Sequence, residues 1–224
     1  MTDFSQTQFL TSAVCPTGFP PEDRLEIAFA GRSNVGKSSA INALANRKRL
    51  AFASKTPGRT QTINFFELGP AARLVDLPGY GYAAVPQAMQ EAWEALVGGY
   101  LGNRNCLAVV VVLMDIRHPL KDHDLHLFEW LRPLEARLLV LLTKADKLSR
   151  GAAMETQTKV EAALRARAIR AEVMLFSAPK KLGVEPARGL LQSWLEQAAM
   201  NKKPPAKRRA TGGGGALNGS RQPA

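Results

Sequence analysis

The stretch Gly31-Arg32-Ser33-Asn34-Val35-Gly36-Lys37-Ser38 constrains this chain more than any other. Two glycines followed by a lysine and a hydroxyl residue at this spacing form a loop that cradles phosphate, provided that a buried strand hands over to a helix there. The flanks supply both. Residues 25–30 (LEIAFA) read as a short apolar strand, and residues 38–46 (SSAINALAN) have helical spacing. The glycines let backbone N–H groups face phosphate oxygens with no side chain in the way, and the helix N-terminus adds its positive end. Lys37 then neutralises β- and γ-phosphate charge, and the Ser38 hydroxyl ligates Mg²⁺.

The rest of the body, residues 25–200, has to fold around that loop. Residues 62–68 (TINFFEL) and 72–78 (ARLVDLP) read as strands joined by a tight turn, hence antiparallel. Residues 107–115 (LAVVVVLMD), 137–146 (RLLVLLTKAD) and 172–178 (EVMLFSA) read as further strands. Helical spacing runs through residues 86–101, 120–131, 153–168 and 185–199. Alternation of this kind predicts a three-layer α/β domain. Its sheet is six-stranded and mostly parallel, with one antiparallel strand and helices on both faces. Ligands in such sheets bind beyond the carboxyl ends of the strands.

Three further motifs fall at those ends. Asp76-Leu77-Pro78-Gly79 closes the third strand, where the acid can hold Mg²⁺ through a water and the glycine N–H can meet a γ-phosphate. Thr143-Lys144-Ala145-Asp146 closes the fifth and selects the base. Guanine presents N1–H and N2–H₂ as adjacent donors, which one carboxylate, Asp146, accepts together; adenine offers no such pair. Lys144 lays its stem over the purine and braces the phosphate loop, and Thr143 makes a local hydrogen bond. Phe176-Ser177-Ala178 follows the last strand, where a backbone N–H around Ala178 can donate to guanine O6.

Composition narrows the setting. The longest apolar run, residues 106–114, is too short to cross a bilayer, and no basic start with an apolar stretch marks a secretory signal. The two cysteines, Cys15 and Cys106, lie far apart and read as structural thiols. A cytoplasmic protein, working as a monomer, is the expectation. The formal net charge is +11. Residues 201–224 contribute Lys202, Lys203, Lys207, Arg208, Arg209 and Arg221 with no acid, in a glycine- and proline-rich setting that predicts a disordered basic tail. Such a balance favours polyanionic partners, nucleic acid ahead of membrane, with a merely solubilising tail as the alternative. Residues 1–24, polar and punctuated by proline, read as an extended arm. The three histidines, His118, His123 and His126, mark a solvated helix entry rather than a metal site. Trp93, Trp130 and Trp194 lie in amphipathic helices and read as packing residues.

With four motifs in order at strand ends, residues 25–199 resemble a Ras-like GTPase domain. More narrowly, GRSNVGKSS, SKTPGRTQTINFF, DLPGYGYA, TKADKL and FSAPKKLG resemble the EngB GTPases of bacterial ribosome assembly. The resemblance implies GTP and GDP binding with Mg²⁺. It also implies association with the large ribosomal subunit or its precursor, ribosomal RNA and proteins included, and a link to cell division and septation. By the same resemblance Thr60 is the switch threonine that ligates Mg²⁺, with Thr56 as its rival. Gly58, Arg59, Gln61 and Thr62 join it around the nucleotide. A polar segment with glycine and proline suits an order–disorder switch.

Tyr80 stands where Ras-type enzymes carry the glutamine that orients the attacking water, so hydrolysis is expected to be slow or differently assisted. Related GTPases with asparagine at the position of Asn34 can use K⁺ beside the phosphates, which supplies charge as an arginine finger does elsewhere. The alternative is that Asn34 stabilises the loop turn. Lys37, Asn34 and Thr60 are the catalytic candidates of this reading. An ATP-using small-molecule kinase is the rival class, against which Asp146 argues.

Overall fold

The computed structural model describes residues 3–51, 62–80 and 87–201. Its centre is a seven-stranded sheet, built from β1 (Gln8–Ala13), β2 (Leu25–Gly31), β3 (Ile63–Leu68), β4 (Ala72–Asp76), β5 (Leu107–Asp115), β6 (Arg137–Thr143) and β7 (Ala171–Leu175). The strands lie in the order β1-β3-β4-β2-β5-β6-β7. Only β3 runs against its neighbours, pairing antiparallel with both β1 and β4, while every other pairing is parallel. The sheet therefore has one strand more than the six expected.

That extra strand comes from the arm. Phe9 and Val14 stand 56% exposed, so the segment shows no alternation to distinguish it from a loop. It becomes a strand because β3 offers an open edge, with Gln8 opposite Glu67 and Ala13 opposite Ile63. The arm is fastened at both ends of this strand. Phe4 is buried beneath it, and buried Arg73 donates to Pro21 O at 2.7 Å and to Asp23 Oδ1 at 2.7 Å. Within the stretch expected as an extended arm, residues 8–13 are thus extended and paired with the sheet.

Helices cover both faces. On one face lie α2 (Gln87–Asn103), α3 (Asp122–Leu131) and α4 (Arg150–Ala166), whose Val97, Tyr100, Phe128, Val160 and Leu164 share a core with Val110, Val112 and Met114 of β5. On the other lie α1 (Lys37–Leu44) and α5 (Val184–Asn201), whose Ile41, Leu44, Ala187 and Leu191 meet Val109, Val111 and Leu113 of the same strand. A strand with both faces dry has to be apolar throughout, which is why the valine run of β5 sits mid-sheet. At the amino-terminal end of the sheet, buried Glu26 accepts from Tyr100 Oη at 2.8 Å and is paired with Arg104. That charge is matched in place and lies at the end opposite the loops of interest.

The register lines up those loops. Phe29 pairs with Asp76, Gly31 with Leu113, and Asp115 with Thr143, so the carboxyl ends of β2, β4, β5 and β6 form one rim. No helix among the described residues is long and apolar enough to cross a membrane. Of the tail expected over residues 201–224, Asn201 is the last residue of α5, and residues 202–224 lie outside the described residues, as does the segment holding Thr56, Gly58, Arg59, Thr60 and Gln61.

Candidate nucleotide site

The loop between β2 and α1 requires its glycines for two different reasons. A Cβ on Gly31 would lie 2.8 Å from Val35 Cγ2 and 3.0 Å from Leu113 O, so only hydrogen fits. Gly36 has open space around it but adopts φ +96°, a left-handed conformation that disfavours side chains. Asn34 is also left-handed, at φ 63°, and asparagine is among the few residues that tolerate this. Backbone shape alone thus accounts for an asparagine here, as the turn reading of Asn34 expects. Lys37 opens α1, with Ser38 behind it.

Asp76, at the end of β4, meets Lys37 directly: Lys37 Nζ and Asp76 Oδ1 form a close ion pair, with the two side chains 13% and 6% exposed. Beyond it the chain stays against the phosphate loop. Leu77 N–H donates to Phe29 O at 3.0 Å, and a Cβ on Gly79 would lie 3.4 Å from the Ser33 backbone. Ser33 N–H then donates to Tyr80 O at 3.0 Å. Pro78 O accepts from Trp93 Nε1 at 3.0 Å, which ties the segment to α2.

Tyr80 is occupied elsewhere. Its hydroxyl donates to Asp124 Oδ1 at 3.0 Å, and its ring sits edge-on to Trp93, which stacks on Trp130. Burial, with the Asp124 charge beside it, holds its phenol well above the usual range, so it stays neutral. Asp124 is fully buried and also accepts from Arg32 Nε at 3.2 Å and Lys121 N–H at 3.0 Å. Arg32 Nη2 reaches His118 O at 2.7 Å. His118 therefore acts through its carbonyl, and His126 packs on Trp130 at 5.4 Å. Trp194 is buried against the α5 side, so the tryptophans serve packing as expected.

The motif Thr143-Lys144-Ala145-Asp146 draws several elements together. Thr143 Oγ1 lies 2.6 Å from Val35 O and 3.1 Å from Met114 O, so the threonine hydroxyl joins β6 to the phosphate loop and to β5. Lys144, left-handed at φ 58°, donates from Nζ to Asn34 O at 2.8 Å and pairs with Asp115 Oδ2 at 3.0 Å. Ala145 N–H donates to Phe176 O at 3.1 Å. Ser177 Oγ donates to Asp146 Oδ1 at 2.6 Å, and that bond above all holds the Asp146 carboxyl below its usual range. The turn carrying Ala178 closes through Ser177 N–H to Leu182 O at 3.0 Å. Gly183 completes it, because a Cβ there would meet Leu175 O at 2.1 Å.

The sequence motifs missed three residues here: Asp115, Arg117 and Asp124. They lie in one segment, between the end of β5 and the start of α3, which drew attention only for its histidines. The signal available was a strand-end acid at Asp115, the feature that singled out Asp76. Thr62, expected near nucleotide, donates from Oγ1 to Asn64 Oδ1 at 3.3 Å at the start of β3. Both cysteines are free, and burial pushes the Cys106 thiol up to about 12.

Residues 26–144 match the family described as "50S ribosome-binding GTPase". The chain is 52% identical over 204 residues to "Probable GTP-binding protein EngB" of Azoarcus sp. strain BH72, covering 91% of this chain and 98% of the relative. It is 53% identical over 192 residues to the protein of the same name from Pasteurella multocida strain Pm70, covering 86% and 94%. Among solved structures, the fold is similar to the crystal structure of a protein titled "probable GTP-binding protein engB". The TM-score is 0.63 at 22% identity, over 77% of this chain and 99% of the other.

Proposed function

The chain belongs to the EngB family of GTP-binding proteins, within the 50S ribosome-binding GTPases, and on that premise we propose that it is a slow, nucleotide-dependent switch in assembly of the large ribosomal subunit. It is a GTPase that takes GTP and GDP. The finer reading is that a cytoplasmic monomer engages ribosomal RNA and proteins of the subunit precursor in one nucleotide state and leaves in the other. In that setting its loss disturbs cell division and septation. Basic charge supports an RNA-rich partner, and residues 201–224 supply much of it.

The observation that carries the guanine-site reading is the rim on which Asp146, held ionised by Ser177, shares a motif with Lys144 and Thr143, both bonded to phosphate-loop carbonyls. Asp146 accepts from guanine N1–H and N2–H₂, Lys144 covers the purine, and the backbone near Ala178 meets O6. The N–H groups of Gly31 through Ser38 surround the phosphates, with Lys37 turned from Asp76 to the β- and γ-oxygens. The Ser38 hydroxyl and the Asp76 carboxylate are hard oxygen donors at adjoining element ends, a set that fits Mg²⁺, with Thr60 as third ligand and Asp76 acting through a water. That ion supplies neutralisation of the phosphate charge when bound.

Slow hydrolysis follows from Tyr80, which has no carboxamide and whose hydroxyl is engaged by Asp124. Asn34 is exposed at the loop apex, which supports K⁺ beside the phosphates as the aid to catalysis. Matched KCl and NaCl assays with ribosomal subunits decide this; K⁺ is expected to be faster by about tenfold. The switch itself is tested by sedimenting the protein with ribosomal fractions under GTP, GDP or neither. Co-sedimentation with the large subunit under one state alone is expected. Equal co-sedimentation in all three, or none, would sink the switch.

A further inference from the structure

We propose that Asp115 is a positioning residue for nucleotide binding: it fixes the Lys144 ammonium against the phosphate loop, so that GDP and GTP depend on it alike. The inference rests on the assignment of Lys144 to the nucleotide site.

Asp115 is the last residue of β5 and lies opposite Thr143 in the parallel register, which brings Lys144 beside it. Its side chain is 10% exposed and stands between two cations. Lys144 Nζ approaches Oδ2 at 3.0 Å. Arg117 takes the other side with Nε 2.9 Å from Oδ1 and Nη2 2.6 Å from Oδ2, and its backbone N–H reaches Oδ1 at 3.1 Å. These donors, Arg117 first, hold the carboxyl well below the usual carboxylate range, so it is charged throughout the neutral region.

The bond that Asp115 steadies has an unusual setting. Lys144 Nζ donates to Asn34 O at 2.8 Å, and both residues are left-handed, at φ 58° and φ 63°. A side-chain-bearing residue in that region persists only where its surroundings hold it. Here each loop's left-handed residue is joined to the other's through one ammonium. The Lys144 side chain is one-third exposed, at 33%, and nothing in its four-carbon stem keeps it from turning to solvent. Removal of the carboxylate would also leave Arg117 and Lys144 as adjacent like charges. Lys144 has Asn34 O and Asp115 as its partners, whereas Lys37 has Asp76, so the two lysines are held separately. The loss therefore falls equally on nucleotides with and without a γ-phosphate.

The test is a double-mutant cycle on the full chain, read as the dissociation constants of GDP and of a non-hydrolysable GTP analogue, each carrying a fluorescent N-methylanthraniloyl group. Asp115→Asn is expected to weaken both by about tenfold, with their ratio unchanged, as befits a bond to a charged group. In a Lys144→Met background the same change is expected to add less than about twofold. Costs that multiply in the double variant, a changed GTP-to-GDP ratio, or unaltered affinity in Asp115→Asn would each overturn the proposal. Should Asp115→Asn fail to fold, Asp115→Glu replaces it in the cycle, because it keeps the charge but displaces it by a methylene. A loss of about threefold that vanishes beside Lys144→Met is then expected, and persistence of the full loss there overturns it. Failure of the wild type to bind either nucleotide would overturn the site assignment itself. Tight wild-type binding with multiplying costs would overturn only the part given to Asp115.

Discussion

The two sides of the rim differ in how they satisfy their charges. On the base side, Asp146, Lys144 and Thr143 each have partners on a different loop, and those contacts leave the Asp146 carboxylate ionised and able to accept more. On the phosphate side, Lys37 and Asp76 satisfy each other. In the proposed function a triphosphate with its cation parts them, because each is the natural partner of what would arrive: the lysine of phosphate oxygen, the acid of a metal's water. The base side is thus prepared in advance and the phosphate side changes partners. Affinity common to GDP and GTP then resides largely in the former, and the difference between the two states in the latter.

The largest expected effect breaks the phosphate side. Lys37→Ala removes the cation proposed to meet the β- and γ-oxygens and leaves the Asp76 carboxylate, 6% exposed, without its partner. Binding of GTP and GDP should fall by at least about a hundredfold, since a charge-assisted contact is lost and an unpaired anion is added. The fold should persist, because among the described residues the Lys37 side chain joins α1 to β4 through that pair alone. Isothermal titration with circular dichroism on the same sample checks both. Retained GTP affinity would show that the pair is not where the phosphates go.

Next in size is Asp146→Asn, which acts on the base side. The new amide presents a donor to guanine N1–H, so GTP affinity should fall by about ten- to a hundredfold, while xanthosine triphosphate, whose O2 accepts from that amide, should gain. Competition between the two triphosphates reads the exchange. If GTP still wins by its original margin, guanine is not held by Asp146.

How much of this contrast could be read from the chain depended on whether a contact is local. The phosphate loop is legible because its glycines answer to constraints within or next to the segment, such as Gly36 at φ +96°. The alternation of strands and helices is legible because burial imposes a period, as in the valines of β5 on two dry faces. The strand β1 was not, because its pairing depends on an edge presented by β3, fifty or more residues away in sequence, and its own side chains are largely exposed. Asp115 offered only its place at a strand end, with no glycine-bearing motif after it. Asp124 offered less, and its meaning emerges only when Tyr80 and Arg32 arrive from two other elements. Tyr80 itself stood out in the sequence for having no carboxamide, but where its hydroxyl goes was not legible there.

A smaller effect sharpens the claim that the base side is prepared. Ser177→Ala removes the hydroxyl that donates to Asp146 at 2.6 Å and leaves the carboxylate itself in place. GTP affinity at neutral pH should fall by about threefold to tenfold, the worth of one charge-assisted hydrogen bond. The pH profile is more telling. Because the Ser177 bond depresses the carboxyl, wild-type affinity should survive acid below the ordinary aspartate range and be lost only as pH falls through the depressed value. In the variant that acid limb should move upward, toward the ordinary aspartate range. An unmoved limb would mean that Ser177 does not hold Asp146 ready.

The smallest effect concerns the seam between the two sides. Tyr80→Phe keeps the ring beside Trp93 and removes only the donor to Asp124. Asp124 retains Arg32 and Lys121 N–H, so the buried charge is not orphaned. Urea unfolding of the nucleotide-free protein should show a loss of about 1 kcal/mol, the typical worth of a buried hydrogen bond. Single-turnover hydrolysis should stay within about twofold of wild type, because the hydroxyl faces α3 rather than the phosphates and has no part in orienting water. A hydrolysis rate that collapses with stability intact would assign Tyr80 to the reacting centre. The phosphate side would then depend on a rearrangement that takes this residue off Asp124, and the slow chemistry would be a property of the resting state alone.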